Sequence, residues 1–174
     1  MSKGLVMVFT GDGKGKTSAA LGIALRAFGH KMSISVIQFI KSFSATGESL
    51  AAERLGIEFV SRGKGFVTGS GSDLPLPEHR SAAEEALAEA RQRMISGPLD
   101  ILILDEINNA VHLGLIDITA VLDLVKNKPQ ILHLILTGRN AHSDLIAVAD
   151  VVTEMHALKH PFDSGVRAQK GIDY

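Results

Sequence analysis

Short apolar runs alternate with longer segments of helical spacing along the whole chain. The apolar runs are rich in β-branched residues and do not alternate with polar ones, which is typical of parallel strands covered by helices on both faces. The sequence therefore predicts six strands, at 5–9, 34–39, 57–60, 101–104, 131–136 and 148–152.

The segments between these runs have helical spacing or composition. They predict helices at 16–28, 48–55, 77–95, 118–125 and 143–149. This alternation favours an α/β fold with a mostly parallel sheet and helices on both faces. At 174 residues the chain has the usual size of one domain, so we expect a single domain over 1–174.

Composition and charge exclude several classes of function. The chain has no cysteine, which excludes disulfides, iron–sulfur clusters, thiol catalysis and cysteine-bound zinc. Its net charge of -1 provides no general field for nucleic acid, so we expect no nucleic-acid partner. No apolar run reaches the length of a signal sequence or membrane span, so we expect a cytoplasmic protein without a membrane partner. The histidines show no metal-ligand spacing.

A glycine-rich loop follows the first predicted strand and leads into the first predicted helix. Its sequence is Thr10-Gly11-Asp12-Gly13-Lys14-Gly15-Lys16-Thr17-Ser18. The glycines let consecutive N–H groups turn toward one point beside the positive end of the helix dipole. The G-x-x-x-x-G-K-[ST] pattern has glycine where Thr10 stands, so this is a variant phosphate loop. It predicts a P-loop NTPase-like (RecA-like) fold with a nucleotide bound along 11–18, where Lys16 reaches phosphate and Thr17 binds Mg²⁺.

An acidic pair follows the strand predicted at 101–104. Asp105 and Glu106 would lie at the carboxyl edge of the sheet, where ligands of open α/β sheets bind. Because Mg²⁺ takes few protein carboxylates, one of these acids can complete its shell. We favour Glu106 as the metal ligand, with Asp105 as the alternative. N-capping of a following helix by Asp105 is the structural explanation for the same pattern.

Two basic residues also follow predicted strands. Arg139 is placed to clamp a polyphosphate, and Lys41 is placed to bind substrate. Position alone allows both to be ordinary solvent-exposed side chains. The Gly-, Ser- and Pro-rich segment 62–77 predicts a long loop, either a functional lid or locally disordered. The tail 159–174 looks irregular, and it either covers a site or frays.

Together these motifs resemble the phosphate-loop type of ATP:corrinoid adenosyltransferases, also called cob(I)alamin adenosyltransferases. The resemblance covers nearly the whole chain. It rests on the segment 9–17, on Gln38-Phe39-Ile40-Lys41, on Leu104-Asp105-Glu106, on Thr137-Gly138-Arg139 and on the tail 159–174. The tail discriminates best, because phosphate loops occur in many enzyme classes.

The resemblance implies a transferase that moves the 5′-deoxyadenosyl group of ATP to the Co(I) of a corrinoid and releases triphosphate. The acceptor would be cob(I)alamin or a precursor such as cob(I)yrinic acid a,c-diamide. Co(I) is itself a strong nucleophile, so the protein aligns the reactants and stabilises charge on the triphosphate, a role that fits Lys16, Mg²⁺ and Arg139. The resemblance also implies a homodimer and an external one-electron reductase of the flavoprotein type.

The sequence departs from the family in two places. Family members use hydrophobic residues below the corrin to remove the lower cobalt ligand, and Phe66 matches one of them. The second, a tryptophan, is replaced by Thr68, so we expect Phe66 to act alone or with a residue of 69–77. Without the resemblance, a phenylalanine in a glycine-rich loop is more often an anchor packed on the core. Some members also carry an arm before the first strand that covers the active site. Here we expect that cover to come from another segment or to be absent.

Two other functions are compatible with a phosphate loop. One is a small-molecule kinase or RecA-like ATPase, since fold and loop do not fix the chemistry. The other is a non-catalytic module that holds ATP and a corrinoid. The presence of Lys16, Thr17 and Glu106 argues against the module.

Overall fold

The computed structural model describes residues 3–41, 46–65, 67 and 75–172. Its strands form one six-stranded sheet in the order β3-β2-β4-β5-β1-β6, with every pairing parallel. The strands are β1 (Val6–Thr10), β2 (Ile34–Gln38), β3 (Glu58–Ser61), β4 (Ile101–Asp105), β5 (His133–Thr137) and β6 (Val151–Glu154). The predicted α/β class and parallel sheet are confirmed.

Within the described residues, six α-helices connect these strands. They are α1 (Lys16–Gly29), α2 (Gly47–Arg54), α3 (Leu76–Ile95), α4 (Ile107–His112), α5 (Ile118–Lys126) and α6 (Ser143–Val148). Five match the predicted helices within about two residues, the usual disagreement at helix ends. The sequence did not predict α4, because six residues are too few to show a period. The strand predicted at 148–152 was wrong at its start, where Val148 still belongs to α6.

Apolar side chains cover the sheet on both faces. On one face, Ala20, Ala24 and Ala27 of α1 pack with Val36 and Ile103 of the sheet. On the other, an apolar cluster joins the sheet to α3, α4, α5 and α6. The two-sided packing explains why the central strands are continuous apolar runs. Within the described ranges, no helix combines the length and apolar character needed to cross a bilayer.

Polar residues end all six strands at the same edge of the sheet. In spatial order they are Ser61, Gln38, Asp105, Thr137, Thr10 and Glu154. The register pairs Gln38 with both Ser61 and Asp105, so three of them are direct neighbours. This carboxyl edge lies beside the start of α1, and parallel strands therefore collect the polar side chains of distant segments in one place.

Candidate active site

The glycine-rich loop joins β1 to α1, as the sequence predicts. Gly11 and Gly15 have φ of 93° and 108°, a left-handed backbone region that favours glycine. Gly15 is the N-cap residue of α1 and provides no side-chain cap. The first N–H groups of this 14-residue helix therefore remain available to an anion at its positive end.

The end of β6 holds this loop from one side. The Gly13 N–H donates to the Met155 carbonyl at 2.7 Å, and the Met155 N–H donates to the Thr10 carbonyl at 2.8 Å. A Cβ atom on Gly11 would lie 2.3 Å from the Met155 carbonyl oxygen, and one on Gly13 would lie 2.8 Å from it. These glycines therefore permit close packing against β6 as well as turning the loop, and the Gly13 amide is already engaged inside the protein.

Lys16 is buried at the first position of α1. Its Nζ donates to the Gly13 carbonyl at 2.6 Å, so the side chain folds back over the loop. Burial lowers the pKa of Lys16, and the negative charge of Glu106 acts in the opposite direction. A cation desolvated in this way interacts strongly with any phosphate that reaches it.

Asp105, at the end of β4, accepts hydrogen bonds from the start of α1 and from the neighbouring strands β2 and β5. Its Oδ1 accepts hydrogen bonds from the hydroxyls of Thr17 (2.8 Å) and Thr137 (2.7 Å). Its Oδ2 accepts one from Gln38 Nε2 at 2.8 Å, and Ser61 donates to Gln38 Oε1 at 3.3 Å. Asp105 is only 1% exposed and belongs to β4, so the N-cap explanation for this residue is wrong.

Glu106 follows Asp105 in a left-handed conformation, with φ of 66°. Its N–H donates to Thr137 Oγ1 at 3.0 Å. Its Oε2 is buried and has no hydrogen-bond partner among the described residues. Burial raises the pKa of Glu106, as does the charge of Asp105, while Lys41, Lys16 and Arg139 lower it. The two acids therefore differ, because both oxygens of Asp105 accept hydrogen bonds and Glu106 has an oxygen to spare.

The remaining predicted residues lie around this centre. Arg139 is exposed directly after Gly138, which has a φ of 127°, and its charge acts on both Lys16 and Glu106. The Nζ of Lys41 lies 3.7 Å from Glu48 Oε1 in the first turn of α2. Asp12, Lys14 and Ser18 are exposed along the loop, and Ser18 also lines a cavity of ≈ 540 Å³ between α1 and α2.

Some predictions fall outside the described residues. Phe66 and Thr68 lie there, as does half of the long loop predicted at 62–77. In the part of the chain that the structure describes, the tail is irregular apart from one short 3₁₀ turn, Pro161–Ser164, and Ile172 lines the cavity between α1 and α2. The described residues contain no group of three or more His, Cys, Asp or Glu residues able to hold a metal.

Sequence reasoning assigned no role to three residues that organise the site. Gln38 and Thr137 occur in the motifs that carry the resemblance, but their bonds to Asp105 depend on strand order. Met155 gave no signal, since its contact with the loop uses backbone atoms. A polar residue at the end of a predicted buried strand is the signal that can identify Gln38 and Thr137.

Comparison with known proteins identifies the family of this chain. The profile of the ATP:corrinoid adenosyltransferase family BtuR/CobO/CobP matches residues 2–174. A corrinoid adenosyltransferase of Sinorhizobium sp is 42% identical over 99% of this chain and 81% of its own length. The corrinoid adenosyltransferase CobA of Salmonella typhimurium is 39% identical over 99% of this chain and 86% of its own. A corrinoid adenosyltransferase of Pseudomonas aeruginosa is 36% identical over 99% of this chain and 84% of its own length. The chain therefore belongs to the ATP:corrinoid adenosyltransferase family.

Proposed function

We propose that the site at the carboxyl edge of the sheet performs the family reaction in the following way. The chain is a corrinoid adenosyltransferase, which transfers the adenosyl group of ATP to a corrinoid. The Co(I) electron pair forms a bond to C5′ of ATP, the C5′–O bond breaks, and its electrons leave on triphosphate. The observation that supports this assignment best is the hydrogen bond from Thr17 to Asp105 beneath an intact phosphate loop.

The phosphate loop and Lys16 would hold the triphosphate. Lys16 exchanges the Gly13 carbonyl, its present partner at 2.6 Å, for a phosphate oxygen. As the C5′–O bond breaks, negative charge grows on the leaving group, and a buried ammonium next to it stabilises that charge. No general base is required, since the nucleophile is a metal centre that carries no proton. Arg139 and Lys41 are proposed to add positive charge from the rim of the site.

The site residues fit Mg²⁺ as a companion of ATP. Thr17 donates its only hydroxyl proton to Asp105, so its oxygen lone pairs face away from that carboxylate. Glu106 has a buried oxygen without a partner. Both are the hard oxygen donors that Mg²⁺ prefers, and we propose Thr17 and Glu106 as its protein ligands, with Asp105 orienting Thr17. When bound, Mg²⁺ supplies positive charge that neutralises the phosphates.

Other expectations remain proposals. We propose that the acceptor is cob(I)alamin or a precursor such as cob(I)yrinic acid a,c-diamide, and that Phe66 contacts its lower face. An external flavoprotein-type reductase would provide the electron that produces Co(I). We also propose a homodimer in the cytoplasm, which sedimentation of the purified chain and cell fractionation test directly.

The reaction is tested by mixing chemically reduced cob(I)alamin, Mg²⁺ and ATP with the protein under anaerobic conditions. We expect the light-sensitive alkylcobalamin spectrum to appear together with triphosphate. Lys16→Ala should lower kcat/KM by about 100- to 1,000-fold. The matched control is Lys126→Ala, at an exposed lysine that ends α5 far along the chain from the loop. ATP cleaved at the γ-phosphate, or ATP left intact beside Co(I), would refute the proposal.

A further inference from the structure

Thr137 occupies a central position among the polar strand ends. It is the last residue of β5, which lies between β4 and β1 and so separates the acidic pair from the phosphate-loop strand. The residue is fully buried, with 0% of its surface exposed. Buried hydroxyls are retained where both their donor and their acceptor capacity are used.

Both functions of this hydroxyl serve the acidic pair. The Thr137 hydroxyl proton is donated to Asp105 Oδ1, at 2.7 Å. Its oxygen accepts the N–H of Glu106, at 3.0 Å. One side chain from β5 therefore contacts the carboxylate of one acid and the backbone of the next.

The bond to the Glu106 backbone acts at a strained position. A residue other than glycine with a φ of 66° is uncommon and needs support from its surroundings. The N–H of Glu106 fixes the start of the turn that aims its carboxylate, and this carboxylate has the unpaired oxygen. Without the Thr137 hydroxyl, the N–H loses its acceptor in a part-buried setting, and the left-handed conformation loses one of its restraints.

The bond to Asp105 acts on the phosphate-loop side. Asp105 Oδ1 is shared by Thr137 and Thr17, so the two hydroxyls meet at one oxygen. Hydrogen bonds from Thr137 and Gln38 hold the carboxylate in the rotamer that receives the Thr17 proton. The direction of the Thr17 lone pairs thus depends on a residue of β5.

We propose that Thr137 is a positioning residue for the magnesium–nucleotide complex. It orients the Thr17 hydroxyl by holding Asp105, and it orients the Glu106 carboxylate by holding the Glu106 backbone. This inference rests on the proposed magnesium site. The Thr137 side chain contacts the acidic pair directly, and it acts on the ligand only through these neighbours. Outer residues of this kind change metal affinity by about 10- to 100-fold when they are removed.

The test compares Thr137→Val, which keeps the shape and removes the hydroxyl, with Thr137→Ser, which keeps the hydroxyl. ATP affinity is measured by calorimetry without any corrinoid, once with Mg²⁺ and once with EDTA. We expect Mg²⁺ to increase the ATP affinity of Thr137→Val about 10- to 100-fold less than that of the wild type. The ATP affinity of the two proteins in EDTA should differ by about twofold or less. Thr137→Ser should retain the gain.

The control is Thr153→Val, a matched change at an exposed position of β6, which should leave both affinities unchanged. If Thr137→Val does not fold, Thr137→Ala is measured at low temperature against the same Thr137→Ser reference. If Mg²⁺ increases the ATP affinity of the folded Thr137→Val or Thr137→Ala variant as much as that of the wild type, the inference is wrong, while the metal site itself stands. A wild-type chain with no gain from Mg²⁺ would overturn the metal site and the inference together, while leaving the transferase reaction to its own assay.

Discussion

Substitution of Gly11 by alanine tests whether the close contact between the phosphate loop and β6 stabilises the protein. The new methyl group would lie 2.3 Å from the carbonyl oxygen of Met155 and 2.8 Å from its amide nitrogen. Both atoms belong to backbone that is itself hydrogen-bonded to Thr10 and Gly13, so neither can move away without breaking those bonds. The φ of 93° adds strain for any residue with a side chain.

Two costs contribute to the expected loss of stability. A left-handed backbone costs an alanine about 1–2 kcal/mol. Overpacking against a fixed neighbour costs about 1–3 kcal/mol. The sum is about 2–5 kcal/mol, and in a chain of this length each kcal/mol lowers Tm by about 2–4 °C. We therefore expect Gly11→Ala to lower Tm by roughly 4–20 °C.

Gly22→Ala is the matched control, because it makes the same change within α1, where the new methyl group has no atom within 4 Å other than those of its chain neighbours and its own helical backbone. Alanine is the better helix former by about 1 kcal/mol, so this variant should melt about 2–4 °C above the wild type. Both Tm values are measured by calorimetry without nucleotide. If Gly11→Ala melted within about 2 °C of the wild type, the loop would not be held by β6 as described.

Three further substitutions test the acidic pair and the lower corrin face. Burial raises the pKa of Glu106, so the wild-type chain loses stability as pH rises through that raised pKa. Glu106→Gln should therefore raise Tm by on the order of a few °C at about pH 8. This difference in Tm should disappear as pH falls toward about 4.3, and a difference that does not change with pH would contradict the raised pKa. Gln38→Leu removes a donor from Asp105 and should lower the free energy of unfolding, measured in urea, by about 1–3 kcal/mol. Gln92→Leu, the same change at an exposed position, should lower it little, and equal losses would contradict the hydrogen-bond network around Asp105. Phe66→Ala should slow adenosylation begun from Co(II) far more than the reaction begun from chemically reduced Co(I), and equal losses would remove its role at the lower face.

The strands and the phosphate loop could be predicted from the sequence because their signals are local. A buried parallel strand is an apolar run wherever it occurs, and a strand followed by Gly11 to Thr17 and a helix is specific by context. The short helix α4 gives no such signal. It begins after Glu106 in a left-handed conformation, which is supported by the hydrogen bond from the Glu106 N–H to the distant Thr137 hydroxyl.

The bonds that complete the site could not be predicted from local pattern. Asp105 and Thr17 are 88 positions apart in sequence, and Gln38 and Asp105 are 67 apart. Their contact requires the strand order, which alternation of strands and helices does not determine. The sequence therefore identified both acids as candidates and could not tell that Asp105 is occupied by three donors while Glu106 is not.

This difference between the two acids bears on the type of reaction. An enzyme that transfers phosphate to a hydroxyl group needs a carboxylate placed to orient or accept the proton of the attacking group. Asp105 is poorly placed for that role, because Gln38, Thr17 and Thr137 each donate a hydrogen bond to its buried carboxylate. Glu106 is then the remaining acid of the pair, and we propose it as a magnesium ligand. With its spare oxygen on Mg²⁺, neither acid of the pair would take a proton, which suits a nucleophile without one, as Co(I) is.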